Sequence, residues 1–229
     1  MKKILLVGAI QFAFFLNAQS TNDFQKRSIS YGVKGGLNVS DATDQSFTDG
    51  VVDINQKSRI GFNAGAFVNI PISKSFSIQP ELLFSQYGYK TTFFSNNMGN
   101  DYDPLLGSLE SSGIDCINYI VLPIMAQYNI IPKFYVETGL ELGFNIMSKV
   151  RYYNNTDFSG NKTEFNNKDF RNTFNFGVGA GAGYYFTNNI GITARYILGL
   201  TDIEKNASNL PNKSTIKNKV FQVGLAYKF

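Results

Sequence analysis

Two carboxylates stand four residues apart, at Glu137 and Glu141, within the alternating stretch FYVETGLELGFNI. In a β-strand, residues i and i+4 point to the same face, so the two carboxyl groups would share one environment. A carboxylate pair of this kind can transfer a proton or act in general acid–base catalysis. It can also be structural, if basic side chains neutralise it across a sheet.

Four further charged residues occupy the polar face of other alternating segments, namely Lys34, Glu81, Arg195 and Lys228. With the two glutamates they form a candidate charge cluster, in which three cations could neutralise three carboxylates. The inward residues of a narrow β-barrel need such partners. We therefore favour a structural plug of the barrel interior over a catalytic or proton-relay site.

The chain contains no histidine and a single cysteine, Cys116. Ser-His-Asp and Cys-His catalytic arrangements therefore cannot be assembled, and neither an intrachain disulfide nor a zinc site is expected. Seven of the acidic residues in the predicted loops are candidate calcium ligands: Asp41, Asp44, Asp49, Asp53, Asp101, Asp103 and Glu110. Calcium prefers such oxygen ligands, but their spacing fits no EF-hand loop. The sequence predicts no catalytic residue, no metal and no cofactor.

The elements that would carry the charges are eight segments in which apolar and polar residues alternate. They cover residues 28–40, 59–70, 76–84, 117–128, 134–146, 174–186, 190–200 and 220–229. Each has about the ten residues that a tilted strand needs to cross a membrane. A run such as GVGAGAG argues against a helix, because each glycine would cost a helix about 1 kcal/mol.

The connections at the two ends of these segments differ in length. PISKS, NIIPK and TNN are short turns, whereas residues 41–58, 91–116, 147–170 and 203–217 are long and polar. All the short turns fall at one end of the segments and all the long connections at the other. Short periplasmic turns and long outer loops are typical of outer-membrane β-barrels.

The large apolar residues are predicted to face outward, into lipid. The lumen of an eight-stranded barrel has room only for modest side chains, and this set would overfill it. Glycine, asparagine, serine and the charges would then fill the interior. The fourth segment is apolar on both faces and contains Pro123; we place Ile120, Leu122, Ile124, Ala126 and Tyr128 outward. Pro80 cannot donate to a ladder, so we expect a bulge at or near it.

Both ends of the chain point to export. Residues 1–18 have a basic tip, a short apolar run and a small Ala18, as in a cleaved signal peptide, and residues 19–229 form the barrel domain. The apolar run is too short for a spanning helix of ~20 residues. The last segment ends on Tyr227 and Phe229, which we interpret as closing the sheet and as a signal for assembly. An ordinary last strand of a soluble β-sandwich is the alternative.

Five phrases in order resemble the PorT-like outer-membrane β-barrel family, also called porin family or outer membrane protein beta-barrel domain proteins. They are YGVKGGLNVS at 31–40, IQPELLFSQYGYK at 78–90, NYIVLPIMAQY at 118–128, FYVETGLELGF at 134–144 and RYILGLTDI at 195–203. The chain departs from the family at Val121, where such proteins often carry an acid before the proline. The resemblance implies an eight-stranded outer-membrane barrel, and this family has no single established activity.

We therefore expect an all-β protein, an eight-stranded antiparallel up-and-down transmembrane barrel, monomeric and non-enzymatic, in the outer membrane of a Gram-negative-type bacterium. Its packed lumen favours a role in envelope structure or in partner interaction through the loops. The alternative is a narrow porin-like channel for ions or small solutes; a membrane enzyme is disfavoured by the missing histidine. Expected partners are outer-membrane lipid, the barrel-assembly machinery and an envelope or secretion-complex protein. With Lys2 and Lys3 removed, 19 basic residues face 17 acidic ones, so no nucleic acid is expected.

Overall fold

The structure is a computed structural model that describes residues 28–43, 47–48, 52–95, 109–154, 162–205 and 215–229. The predicted signal peptide, residues 1–18, lies outside the described residues. The strands are β1 (Ser30–Ala42), β2 (Phe47–Thr48), β3 (Val52–Pro71), β4 (Phe76–Ser95), β5 (Leu109–Ile131), β6 (Phe134–Asn154), β7 (Lys162–Asn166), β8 (Phe174–Tyr185), β9 (Ile190–Gly199) and β10 (Asn218–Lys228). In the described part of the chain, no helix is long and apolar enough to cross a membrane.

Eight long strands form a closed antiparallel ring, as the alternation predicts. Their order is β1–β10–β9–β8–β6–β5–β4–β3, and β3 pairs again with β1. The first and last strands pair from Gly32–Lys228 to Ala42–Asn218, and the backbone N–H of Phe229 donates to the carbonyl of Tyr31 at 2.8 Å. Closure leaves no unpaired edge between the first and last strands.

The strands on one side of the ring are much longer than predicted. β3, β4, β5 and β6 have 20, 20, 23 and 21 residues, so parts of the segments predicted as loops are strand. In addition, β7 pairs with β6 from Lys149–Asn166 to Tyr153–Lys162. These extensions carry polar residues on both faces, so their ladders leave no alternation of hydrophobicity for sequence analysis to detect.

The prediction of a bulge at or near Pro80 is wrong, because the bulge lies elsewhere on the β3–β4 ladder. The β3–β4 ladder is interrupted between the pairs Phe67–Glu81 and Ile70–Ile78, but its register is the same on both sides, so the missing proline N–H removes pairing without a shift. The register shifts between Ser58 and Asn63 instead. Across from this bulge lies Gly88, whose φ of 140° is a conformation that favours glycine.

The outward face is apolar, as predicted. Ile60 on β3 and Leu140 on β6 have exposed fractions of 70% and 50%. The predicted facing of the fourth segment is confirmed, since Leu122, Ile124 and Tyr128 are exposed while Val121 and Met125 are buried. From Ile60 to Ile70 a strand tilted by about 40° rises about 25 Å, which is the height of the apolar band of outer-membrane barrels. We call the two ends of the barrel the short-turn end and the long-loop end.

The interior is filled in two different ways. Toward the short-turn end it is polar and charged. Toward the long-loop end, a buried apolar and tyrosine cluster fills it, composed of Ala42, Leu83, Tyr87, Tyr89, Ile117, Tyr119, Val121, Ile197, Ile203, Ile216 and Val220. Glycines make room for large inward rings: the Tyr135 ring lies over its cross-strand partner Gly183, where an added Cβ would meet it at 2.4 Å. The expectation of an interior of glycine and small polar residues therefore holds only for part of the lumen.

Candidate functional site

Four of the six predicted charges meet in one buried layer of the lumen. Arg195 on β9 donates from Nη1 and Nη2 to the two carboxylate oxygens of Glu81 on β4, at 3.0 and 2.8 Å. Its Nε donates to Oε1 of Glu137 on β6 at 2.7 Å. Lys34 on β1 donates to both oxygens of Glu81 at 3.2 and 3.1 Å. Two cations and two carboxylates balance, with side-chain exposure between 0 and 6%.

Side-chain amides continue this charge layer toward the short-turn end. Gln79 donates to Glu81 at 2.9 Å, and Gln127 donates to Oε2 of Glu137 at 3.0 Å. Asn69 in turn donates to Gln127 at 2.9 Å. These bonds satisfy acceptors that the cations leave over, which is what a buried ion network requires.

The structure does not place Glu141 or Lys228 in this network. Glu141 is 1% exposed and accepts a hydrogen bond from the hydroxyl of Tyr87 at 2.7 Å, and its Oε2 has no hydrogen-bond partner. Lys228 lies at the short-turn end, with its Nζ 4.7 Å from the centre of the Tyr185 ring. Both residues lie on the predicted face of their strands, but at other heights along the barrel axis than the charge layer. Glu137 therefore forms an ion pair with Arg195, whereas Glu141 accepts a hydrogen bond from Tyr87.

A second charged group, which the sequence did not predict, lies at the long-loop end. Arg171 is 5% exposed and forms ion pairs with Asp115 at 2.8 Å and Glu204 at 3.1 Å. Its Nη2 also donates to the hydroxyl of Tyr89 at 3.3 Å. Burial alone would lower the pKa of Arg171, but Asp115 and Tyr89 outweigh it and the pKa is raised above its ordinary value. Arg171 lies between the predicted loop 147–170 and the segment that begins at residue 174, so no periodic pattern indicated it.

A cavity of about 310 Å³ opens beside Arg171. Its walls are aromatic as well as charged, since Phe93, Tyr152 and Phe170 line it. The exposed fractions of these rings are 38, 39 and 73%. Phe165 on β7 is 55% exposed and stands edge-on to Tyr152, with ring centres 6.0 Å apart. Exposed aromatic residues beyond the apolar belt are unusual on a surface that meets only water.

The loop acids do not form a metal site in the part of the chain that the structure describes. Among those residues, no group of three or more acidic or cysteine side chains could hold a metal ion. Asp41 instead accepts hydrogen bonds from Gln56 at 2.7 Å and Ser58 at 3.0 Å. The side chains of the remaining loop acids, Asp44, Asp49, Asp53, Asp101, Asp103 and Glu110, lie outside the described residues.

Comparison with known families agrees with the ring of strands. The sequence profile of the "Outer membrane protein beta-barrel domain" family matches residues 17–205. The chain belongs to this family. Outer membrane protein beta-barrel domain proteins cross the membrane with strands, so the apolar outward face contacts lipid.

Solved structures similar to this outer membrane protein beta-barrel domain include three small bacterial proteins. Ail, the attachment invasion locus protein of Yersinia pestis, is 13% identical, with a TM-score of 0.48 over 87% of this chain and 98% of its own. Neisserial surface protein A is 14% identical, with a TM-score of 0.40 over 89% and 100%. OprG from Pseudomonas aeruginosa is 13% identical, with a TM-score of 0.37 over 87% and 95%. A search of the curated proteins finds no significant match.

Proposed function

We propose that this outer-membrane barrel is a non-enzymatic protein with a closed lumen, which acts in envelope structure or in binding a partner through its long-loop end. The observation that carries the proposal is the buried layer of Lys34, Glu81, Glu137 and Arg195, with side-chain exposure between 0 and 6%. Above it, the apolar cluster occupies the rest of the lumen. A solute would have to displace both layers.

The carboxylates of the lumen support a structural role. Glu137 is held on both oxygens, by Arg195 and by Gln127. Glu141 is bonded to Tyr87 and is 1% exposed. A general acid or base must come within hydrogen-bond reach of a substrate, and Glu137 and Glu141 are only 4 and 1% exposed.

The long-loop end supports a role in binding. The cavity beside Arg171 combines aromatic walls with a charged floor of one cation and two carboxylates. Pockets that bind other molecules typically have apolar walls and a few polar groups that converge. We propose that this end faces the cell exterior, as long loops do in outer-membrane barrels.

Finer features of the proposal come from the sequence. The five ordered phrases support a PorT-like member of the family, and residues 1–18 support export through a cleaved signal peptide. Tyr227 and Phe229 remain the proposed signal for the barrel-assembly machinery; both are exposed, with ring centres 5.3 Å apart. An envelope or secretion-complex protein is the proposed partner class.

A photo-crosslinking amino acid at Phe170 tests the proposed partner surface in native membranes. Phe174 is the matched control, because it is 57% exposed but lies on the outward face of β8. We expect a discrete protein adduct from position 170 and only lipid adducts from position 174. The proposed partner role is contradicted if position 170 gives no protein adduct. Uptake of small solutes by liposomes that contain the barrel would favour the channel alternative.

A further inference from the structure

Two lysines stand directly opposite each other near the long-loop end. Lys57 on β3 and Lys90 on β4 are paired in the antiparallel ladder, and both are exposed. Directly opposite residues place their Cβ atoms about 5 Å apart on the same face, and like charges at that separation destabilise a sheet. The pair therefore needs a physical explanation.

Both lysines point away from the lumen. The neighbours of Lys90 in the strand, Tyr89 and Thr91, line the cavity beside Arg171, so Lys90 points to the opposite, outward face. Lys57 shares that face because it is the direct partner of Lys90. No carboxylate in the described part of the chain forms an ion pair with either lysine.

Two other groups of charged residues at this level place opposite charges across the ladder. Lys219 on β10 stands directly opposite Asp41 on β1. On β6, Lys149 and Arg151 both bond the Glu164 carboxylate of β7, with 2.8 Å between Arg151 Nε and Glu164 Oε2. These hydrogen bonds, Lys149 first, lower the pKa of Glu164 below its ordinary value. The Lys57–Lys90 pair differs from these groups because it places two like charges opposite each other.

The unmatched pair continues into a row of basic residues. Lys90 is paired with Ile114 on β5, and Ile114 is paired with Arg151 on β6. Among Lys57, Lys90, Lys149, Arg151 and Glu164, positive charges exceed negative charges by three. An anionic partner would be attracted to this row.

The row lies where lipid headgroups meet the barrel. Ile60, with 70% of its surface exposed, follows Lys57 by only three residues, toward the short-turn end. Lys57 lies on the long-loop side of Ile60, and the apolar band from Ile70 to Ile60 is about 25 Å tall. Lys57 is therefore placed just beyond the hydrocarbon. Acyl chains of a lipid held there would contact the apolar belt below.

We propose that Lys57 and Lys90 bind a phosphate group of a lipid headgroup in the leaflet at the long-loop end. A phosphate between the two ammonium groups accepts charge-assisted hydrogen bonds from both and removes their mutual repulsion. Lysine suits this role as a compact point charge. Free phosphate has the same chemistry, but only a lipid gains the contact of its acyl chains with the apolar belt. The site does not depend on whether the lumen conducts.

Native mass spectrometry of the purified full barrel in detergent tests the proposal. The probes are diphosphorylated lipid A, the same lipid without phosphates, and millimolar inorganic phosphate. We compare wild type with the double variant K57Q/K90Q and with D41N/K219Q, which removes the matched pair on β1 and β10. The shift in gel mobility on heating, which reports a folded barrel, is measured for every variant.

We expect the wild type and D41N/K219Q to retain diphosphorylated lipid A about tenfold more than K57Q/K90Q does, because two charge-assisted hydrogen bonds are lost. The dephosphorylated lipid should bind no variant differently, and inorganic phosphate should not displace the lipid. Equal retention by wild type and K57Q/K90Q would overturn the proposal, as would displacement by inorganic phosphate alone.

The variant K57E separates binding from stability. It places opposite charges across the ladder, so we expect an unfolding temperature in lipid-free detergent that is equal to or above that of wild type. Lipid retention should fall as far as in K57Q/K90Q. A K57E barrel that retains the phosphorylated lipid would contradict the proposal.

Discussion

Arg195 and Glu81 face each other across the full width of the barrel. Their strands, β9 and β4, are four positions apart in both directions around the ring of eight. Even so, the guanidinium and the carboxylate form two parallel hydrogen bonds, at 2.8 and 3.0 Å. This bidentate pair therefore links two opposite strands across the diameter of the lumen.

Removing the cation of this pair should destabilise the barrel. In R195M, Glu81 retains Lys34, but Glu137 loses its cation within a buried layer. Breaking a buried pair from one side costs about 3–5 kcal/mol. The free energy of unfolding, from urea titration in phospholipid vesicles, should fall by that amount. The control R151M removes an exposed arginine and should change it by no more than about 1 kcal/mol; equal effects of the two variants would contradict the buried network.

Two buried glutamates should respond differently to neutralisation. E81Q removes a charge that is paired with both Lys34 and Arg195, so it leaves uncompensated cations and should cost about 3–5 kcal/mol. Among the described residues, no cation lies within ion-pair distance of Glu141, and a glutamine there keeps an acceptor for the Tyr87 hydroxyl. E141Q should therefore change the free energy of unfolding by less than about 1 kcal/mol. The same urea titration distinguishes them, and a larger loss in E141Q than in E81Q would refute the assignment.

A lysine scan of the outward face should report the depth of each residue in the bilayer. Leu140 lies midway along the part of β6 that carries the apolar belt, and Met147 lies near its end; their exposed fractions are 50 and 45%. A lysine at the midplane costs about 2–4 kcal/mol and near an interface about 0–1 kcal/mol. L140K should therefore lower the free energy of unfolding in vesicles by more than M147K does. Equal effects would mean that the face does not contact hydrocarbon.

The bend at Gly88 should depend on the absence of a side chain. Its φ is 140°, and an added Cβ would lie 2.0 Å from the carbonyl oxygen of Asp115. G88A should cost about 1–3 kcal/mol, as a strained backbone position does. G35A is the matched control, since its Cβ would come no closer than 3.5 Å to the Asn63 carbonyl oxygen. Thermal unfolding in detergent compares the two, and an unstrained G88A would contradict the bulge geometry.

The alternating pattern predicted the ring of eight strands because the two faces of each strand meet different surroundings. On β9, for example, glycine and Arg195 occupy one face and Tyr196 the other. This alternation is enough to assign which face of β9 points inward. The pattern could not predict where β3–β6 end, since beyond the belt polar and apolar residues mix on both faces. These strands extend further because they hydrogen-bond to their neighbours, and the sequence of a single strand does not reveal that pairing.

The sequence also predicted which face the charges share, but not their heights in the barrel. Lys34 reaches Glu81 while Lys228 stands over Tyr185, and the difference follows from the stagger between neighbouring strands. The proximity of Lys228 to the end of the last strand was an available signal for its place at the short-turn end. Arg171 was missed because it follows a 3₁₀ turn and has no periodic neighbours.

The closed lumen is tested most directly by planar-bilayer recording of the purified, folded barrel. The buried layer spanned by Arg195 and Glu81, with the apolar cluster above it, predicts no steady single-channel openings in molar salt at either polarity. Steady openings of uniform conductance from the wild-type protein would contradict the account.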